Sequence, residues 1–232
     1  MGSVCAYNNP GKLIYANPII KVPQEEISVK TSEDNCLFKL KHVENILEVF
    51  NLEMNSTTLN YSQCKKILCN LGFMIEDLEN PETPIFAFIS SFKYQEIYPK
   101  LDLMVACVLL SGSRLTHKIN ALFDIFDTKS QEILKKDKIS NMLRLIYKTS
   151  TYNCLFLAVG RNGSLEIKQI EAYTTFYAIY EERFVNEFII IILMDNKKIT
   201  KNTFTEIICK NFYSFLVFPS GVREYAFANY IN

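Results

Sequence analysis

The stretch KLDLMVACVLLSGSRLTHKINALFDIFD, residues 100–127, holds two apolar blocks at helical spacing. Met104, Cys107 and Val108 recur at the period of an α-helix before a break at Ser111-Gly-Ser113. Ile119, Leu122, Phe123 and Phe126 recur at the same period after it. Further on, Ile139, Met142, Leu143 and Ile146 resume the pattern beyond a polar stretch, so this part of the chain reads as helix, loop, helix. Ser111-Gly-Ser113 reads as a flexible join between two such arrangements.

The arrangement recurs outward in both directions. Ile85, Phe86 and Ile89 precede the Met104 block; Val43, Ile46, Leu47 and Phe50 lead, across a polar stretch, to Cys64, Ile67, Leu68 and Leu71. On the far side, Phe184, Phe188 and Ile191 stand before Asp195-Asn-Lys-Lys198, with Phe204, Ile207, Ile208 and Phe212 after it. Four helix-loop-helix units predict an all-α chain, although a generic helical bundle gives similar blocks. The boundaries read as an arm over 1–35, a first lobe over 36–112 and a second over 113–232.

Composition narrows the function. At 232 residues, 49% of them apolar, the chain is long enough to bury a sizeable core. Its 25 basic and 25 acidic residues cancel, which argues against nucleic acid as the partner and favours protein. Seven cysteines, at 5, 36, 64, 69, 107, 154 and 209, contain no CxxC pair and accompany two histidines, so reduced thiols are expected and zinc is not. His42 and His117 lie far apart with no nucleophile motif beside them, and no phosphate loop or HExxH is present; no enzyme is expected. The longest apolar run, Phe188 to Met194, is too short to span a bilayer and no signal-peptide core opens the chain, so a cytoplasmic placement is expected.

Residues 1–35 carry Pro10, Gly11, Pro18 and Pro23 with little periodicity and read as an extended arm. Met1-Gly2 puts a glycine where N-myristoylation needs one and Cys5 lies within reach of palmitoylation, while Ala6 stands where the pattern asks for Ser or Thr. Gly2 and Cys5 are therefore the lipidation candidates, and two acyl chains would anchor stably where one would not. Lys12 to Ile20 is apolar for a tail, fit to lie across this protein's own surface or a partner's.

Residues 100–127 resemble the junction between the second and third hands of neuronal calcium sensors and calcineurin B, and Ile139 to Lys148, ending Leu-Ile-Tyr-Lys, resembles the third hand's exit helix. The resemblance implies an EF-hand superfamily fold with four units in two lobes. Residues 36–218 are compatible with its order of hands.

A working loop needs oxygen ligands at positions 1, 3 and 5, Gly at 6 and a bidentate Glu at 12. Counted from Asp127, the third loop has Lys129 at 3, Gln131 at 5, Glu132 at 6, the apolar Leu134 at 8 and Lys138 at 12. The first starts at Asn51, offers Glu53 and Asn55, has one extra residue before Leu59 and ends on Gln63. The second runs from Ser91 to Asp102 with Lys93, Gln95 and Pro99 inside it. The last is short, with Asp195 and Asn196 at its start and Thr203 in place of the final Glu. None has Gly at the turn, and Arg161-Asn-Gly-Ser-Leu165 lacks an acid at its start and reads as a turn. The loops are degenerate: no cofactor is expected, and Asp195, Asn196 and Asp127 are the weak calcium candidates.

The leading expectation is a non-catalytic, calcium-independent adaptor or scaffold holding a partner's amphipathic helix in an apolar groove, with Phe86, Phe88, Phe123, Phe126, Phe184 and Phe188 as core or groove. Membrane tethering would run through the N-terminus. One alternative is a structural protein of a ciliary or cortical microtubule assembly in the cytoskeleton, its arm threading between subunits. Another is a calcium sensor or phosphatase regulatory subunit with one weak site in the last hand.

Overall fold

The computed structural model describes residues 24–53, 56–160, 165–210 and 213–231. Gly2, Cys5 and the Lys12–Ile20 stretch lie outside the described residues, as do Asn55, Arg161-Asn-Gly-Ser164 and Phe212. The described chain is mostly helical, with two short two-stranded sheets. No described helix is long and apolar enough to cross a membrane.

The four units fall where the periodicity places them. The first is α2 (Val43–Asn51), β1 (Thr58–Leu59) and α3 (Tyr61–Asn70); the second is α5 (Pro84–Ser90), β2 (Tyr98–Pro99) and α6 (Lys100–Leu110). The third is α7 (Leu115–Phe126), β3 (Ile133–Lys135) and α8 (Lys136–Thr151); the fourth is α10 (Glu181–Leu193), β4 (Lys198–Thr200) and α11 (Lys201–Lys210). Local chemistry sets several starts. Asn60 and Gln63 form a reciprocal capping box on α3, and Thr83 accepts from the Phe86 amide ahead of Pro84 in α5.

The loops pair two by two. β1 and β2 run antiparallel with Leu59 opposite Tyr98, and β3 and β4 run antiparallel with Leu134 opposite Ile199. All four of these side chains are buried, so each loop contributes one apolar residue to the interior while its polar residues face outward.

The described residues hold four further α-helices, α1 (Gln24–Asn35), α4 (Ile75–Glu79), α9 (Ile167–Ala178) and α12 (Pro219–Ala226), besides short helical turns. Helix α1 departs from the extended arm expected over 1–35. Its apolar pattern is weak, and burial of Val29 is joined by two buried acids, Glu26 and Glu33, that share one guanidinium. Arg223 of α12 donates from Nε and Nη2 to the two oxygens of Glu26 at 2.7 and 2.9 Å, and from Nη1 to Glu33 at 2.6 Å and the Ser150 carbonyl at 2.8 Å. Helix α12 in turn packs on α8 of the third unit, and its Tyr225 reaches Phe184 and Phe188 of α10. Tyr225 stacks on Phe215 at 4.7 Å, and the hydroxyls of Tyr225 and Tyr230 donate to Glu187.

One apolar cluster runs continuously from Phe38 to Tyr230, through both expected lobes. The join expected to be flexible is its middle: Ser111 and Ser113 are buried. The Val43 amide donates to the Ser113 hydroxyl at 2.8 Å, and the Gly112 amide to the Lys41 carbonyl at 3.1 Å. A Cβ on Gly112 would fall 1.9 Å from the Lys39 carbonyl oxygen, so the glycine serves close approach rather than bending.

Beside this join Lys118 is buried, its ammonium donating to the Leu109 carbonyl at 2.6 Å and lying 4.8 Å from the centre of the Phe218 ring. Burial, and next the charge of Lys39, bring its pKa down to about 7. A depressed lysine favours the folded state above the unfolded pKa, and that contribution is lost as pH falls toward the folded one. From pH 7 to pH 9 this group is expected to add about 2 kcal/mol of stability. Urea unfolding at the two pH values should show the gain in the native chain and its loss in Lys118→Met.

Candidate functional site

Polar groups in three of the four loops are held by partners within the protein. In the third loop, Asp127 accepts the Gln131 amide at 3.1 Å and the Glu132 amide at 2.6 Å, one on each carboxylate oxygen. The surrounding hollow of about 190 Å³ is lined by Lys129, Lys135 and Lys138 as well as Asp127 and Asp137. Ser130 and Glu132 hold left-handed backbone angles, φ 50° and 54°, in a loop without glycine.

In the first loop the Glu53 carboxylate receives Gln63 Nε2 at 3.3 Å and Lys66 Nζ at 3.1 Å; the Lys66 contact, ahead of the others, holds its pKa below the usual range. The ammonium of Lys100, at the start of α6, donates to the Glu53 carbonyl at 2.7 Å, so a side-chain cation already ties this loop to the second unit. In the second loop, Tyr94 and Ile97 exchange backbone hydrogen bonds across Gln95 and Glu96, both at positive φ, a tight two-residue turn. Asp102, at that loop's last position, is paired with Lys148 of α8 at 3.2 Å. In the fourth, Asp195 and Asn196 are exposed, and the Thr203 amide donates to the Thr200 hydroxyl at 3.3 Å.

Among the described residues no group of three or more His, Cys, Asp or Glu side chains converges. The residues present do not fit calcium. Lysines stand at two ligand positions of the best loop, and the bidentate carboxylate is missing from the first, third and fourth. Calorimetric titration with calcium is expected to reveal no site tighter than about 10⁻⁵ M.

The phenylalanines expected in core or groove fall on the core side. Phe88, Phe123, Phe126, Phe184 and Phe188 are buried and Phe86 is half-buried. Phe88 packs on Phe38 and Phe92 and Phe123 on Phe204, while Phe188 is covered by the chain's own later segment, meeting Phe215 and Tyr225 at 5.7 and 5.2 Å. Burial pushes the Cys36 thiol up to about 11 and Cys64 to about 12, and no cysteine of the described residues is bonded to another. His42 and His117 are exposed, His117 pairing with Glu44 at 3.0 Å.

Among the described residues a cleft of about 880 Å³ lies between α1 and the first two units. That volume is in the range of ligand-binding clefts. One wall is α1, presenting Ile27, Ser28, Thr31 and Asn35. The other is built by the end of α3. Gly72, at φ 89°, takes the left-handed position after the helix, and the Phe73 amide returns to the Leu68 carbonyl at 3.0 Å, which turns Phe73 and Met74 toward the cleft. Pro84, Ile85 and Leu157 close the floor, and Asp77 is the one charged residue of the lining. Ile27 is 49% exposed and Met74 62%, with Ile75 half exposed beside them.

Sequence reasoning missed this cleft because half of it belongs to α1, whose helicity the periodicity does not reveal. The usable signal was Phe73-Met74-Ile75, an apolar run just past a helix-ending glycine. A scan against family models finds no match for this chain, and a search of curated proteins finds none either.

Proposed function

We propose that the protein is a non-catalytic, calcium-independent, EF-hand-like adaptor that holds an apolar segment of a partner protein in the cleft between α1 and the first two units. The pairing of the four loops in twos, through one buried apolar residue each, supports the EF-hand reading. The observation that carries the function is the cleft itself: an apolar floor with exposed Ile27 and Met74 at its sides, on a chain whose loops hold lysines where calcium ligands would stand. The cleft pairs an apolar side of Phe73, Met74, Ile85 and Leu157 with a hydroxyl- and amide-bearing wall, the mixture of apolar surface and a few polar groups that suits a binding site. With Tyr225 of α12 already set against Phe184 and Phe188, the adaptor is constitutive: its binding surface needs no ion to open it.

The test is capture from native cells with tagged full-length chain and with Met74→Glu, each in calcium and in EGTA. The same partner in both buffers, lost with Met74→Glu, is the expected result. A partner seen only with calcium would put the sensor reading in its place, and one retained by Met74→Glu would move the site away from the cleft. The partner's identity also decides between membrane and microtubule placement.

A further inference from the structure

We propose that the paired third and fourth loops form a docking surface for an anionic lipid bilayer. Lys135 of β3 stands directly opposite Lys198 of β4. The Lys136 amide donates to the Lys197 carbonyl at 3.3 Å, which sets two further lysines beside that pair. Lys129 and Lys138 line the hollow of the third loop together with Lys135. All six residues are exposed, and among the described residues none of their ammonium groups is in an ion pair. The carboxylates around them, Asp127, Glu132, Asp137 and Asp195, are fewer, and Asp127 is already engaged by two backbone amides. The chain is neutral overall, so it collects this positive face only when β3 and β4 pair.

Such a placement works against folding. Like charges directly opposite each other on a two-stranded sheet repel. Lys136 and Lys138 also stand in the first turn of α8, at the end where the helix dipole disfavours cations. An anion supplied from outside relieves both.

The apolar residues next to this face decide the class of anion. Met194, at the end of α10, lines one hollow together with Lys198 and is 57% exposed. Ile190, one turn earlier, is 67% exposed. Lysines beside exposed aliphatic side chains match a layer of anionic headgroups over acyl chains: the aliphatic groups insert while the ammonium groups meet headgroup oxygens. None of these residues lines the cleft, so a bilayer and a partner segment do not compete for the same side chains.

The test is co-sedimentation of the full-length chain carrying Gly2→Ala, which bars N-myristoylation. Its probes are vesicles of phosphatidylcholine alone and of an equal mixture of phosphatidylcholine and phosphatidylserine. Binding to the mixed vesicles only, weakening with added salt, is the expected result. Lys135→Gln with Lys198→Gln should lower the partition about 25-fold, roughly fivefold for each ammonium removed, and Met194→Gln should lower it about tenfold. Because the lysine pair opposes the fold, its replacement should leave the thermal midpoint equal or higher, which separates lost binding from unfolding. Equal binding to both kinds of vesicle, or binding unmoved by the lysine substitutions, would overturn the proposal. Capture of polyglutamate by a chain that ignores the mixed vesicles would overturn it too, and would assign the face to an acidic protein.

Discussion

Replacing Arg223 with methionine is expected to lower the unfolding free energy by about 3–5 kcal/mol at pH 7, the cost of leaving buried carboxylates without their cation. Arg223 is fully buried, and four of its donor contacts go to Glu26, Glu33 and the Ser150 carbonyl. Methionine supplies similar volume and none of those donors. The pH dependence identifies the mechanism. In the native chain burial, against the opposing pull of Arg223, already holds the Glu33 carboxyl above its usual pKa, with Glu26 adding to the rise and Lys39 opposing it. Removing the guanidinium removes the strongest lowering influence and raises that pKa further.

A carboxyl with a raised folded pKa binds more protons folded than unfolded, so its stabilising effect is full in acid and fades as pH rises through the folded value. The deficit of Arg223→Met is therefore expected to narrow from pH 7 to pH 5. Adding Glu33→Gln to Arg223→Met should recover part of the loss at pH 7 and flatten the pH dependence. Urea unfolding at both pH values checks this; a deficit independent of pH would assign the loss to packing.

Phe188→Ala is the second large effect, expected at about 3–5 kcal/mol. The ring is buried and meets Phe184 at 4.7 Å, Tyr213 at 5.9 Å, Phe215 at 5.7 Å and Tyr225 at 5.2 Å. These neighbours come from α10 itself, the turn after α11 and α12, so they cannot collapse together without moving three segments. Because the core is continuous between the halves, the loss should appear as one shifted transition. Near- and far-ultraviolet circular dichroism are expected to report the same lowered midpoint. Two separate transitions would mean that the halves unfold independently across the Ser111–Ser113 join.

Where apolar spacing repeats at the helical period, the fold was legible. Ile139, Met142, Leu143 and Ile146 are all buried on α8, and each of the four unit pairs lies where its block predicts. The apolar residue of each paired loop strand was legible in two cases, Leu59 and Leu134, both of which are buried. Two things were not. Helix α1 is held through Glu26 and Glu33 by an arginine 197 and 190 residues away, and no local pattern encodes such a partner. The join at 111–113 has the composition of a linker, yet glycine and serine also suit a place where backbones press together and a hydroxyl must accept an amide.

The long sequence separation of that arginine has a temporal side. Ribosomes add on the order of 5–20 residues per second. Glu33 therefore leaves the synthetic machinery roughly ten to forty seconds before Arg223 exists to meet it, given the 190 residues between them. Throughout that interval α1 lacks its clamp and one wall of the cleft is unfinished. A nascent chain in this state offers its apolar floor to whatever is near. Burial of the Glu26 and Glu33 carboxylates is therefore a late step in the making of this molecule, completed only once the α12 segment has been synthesised.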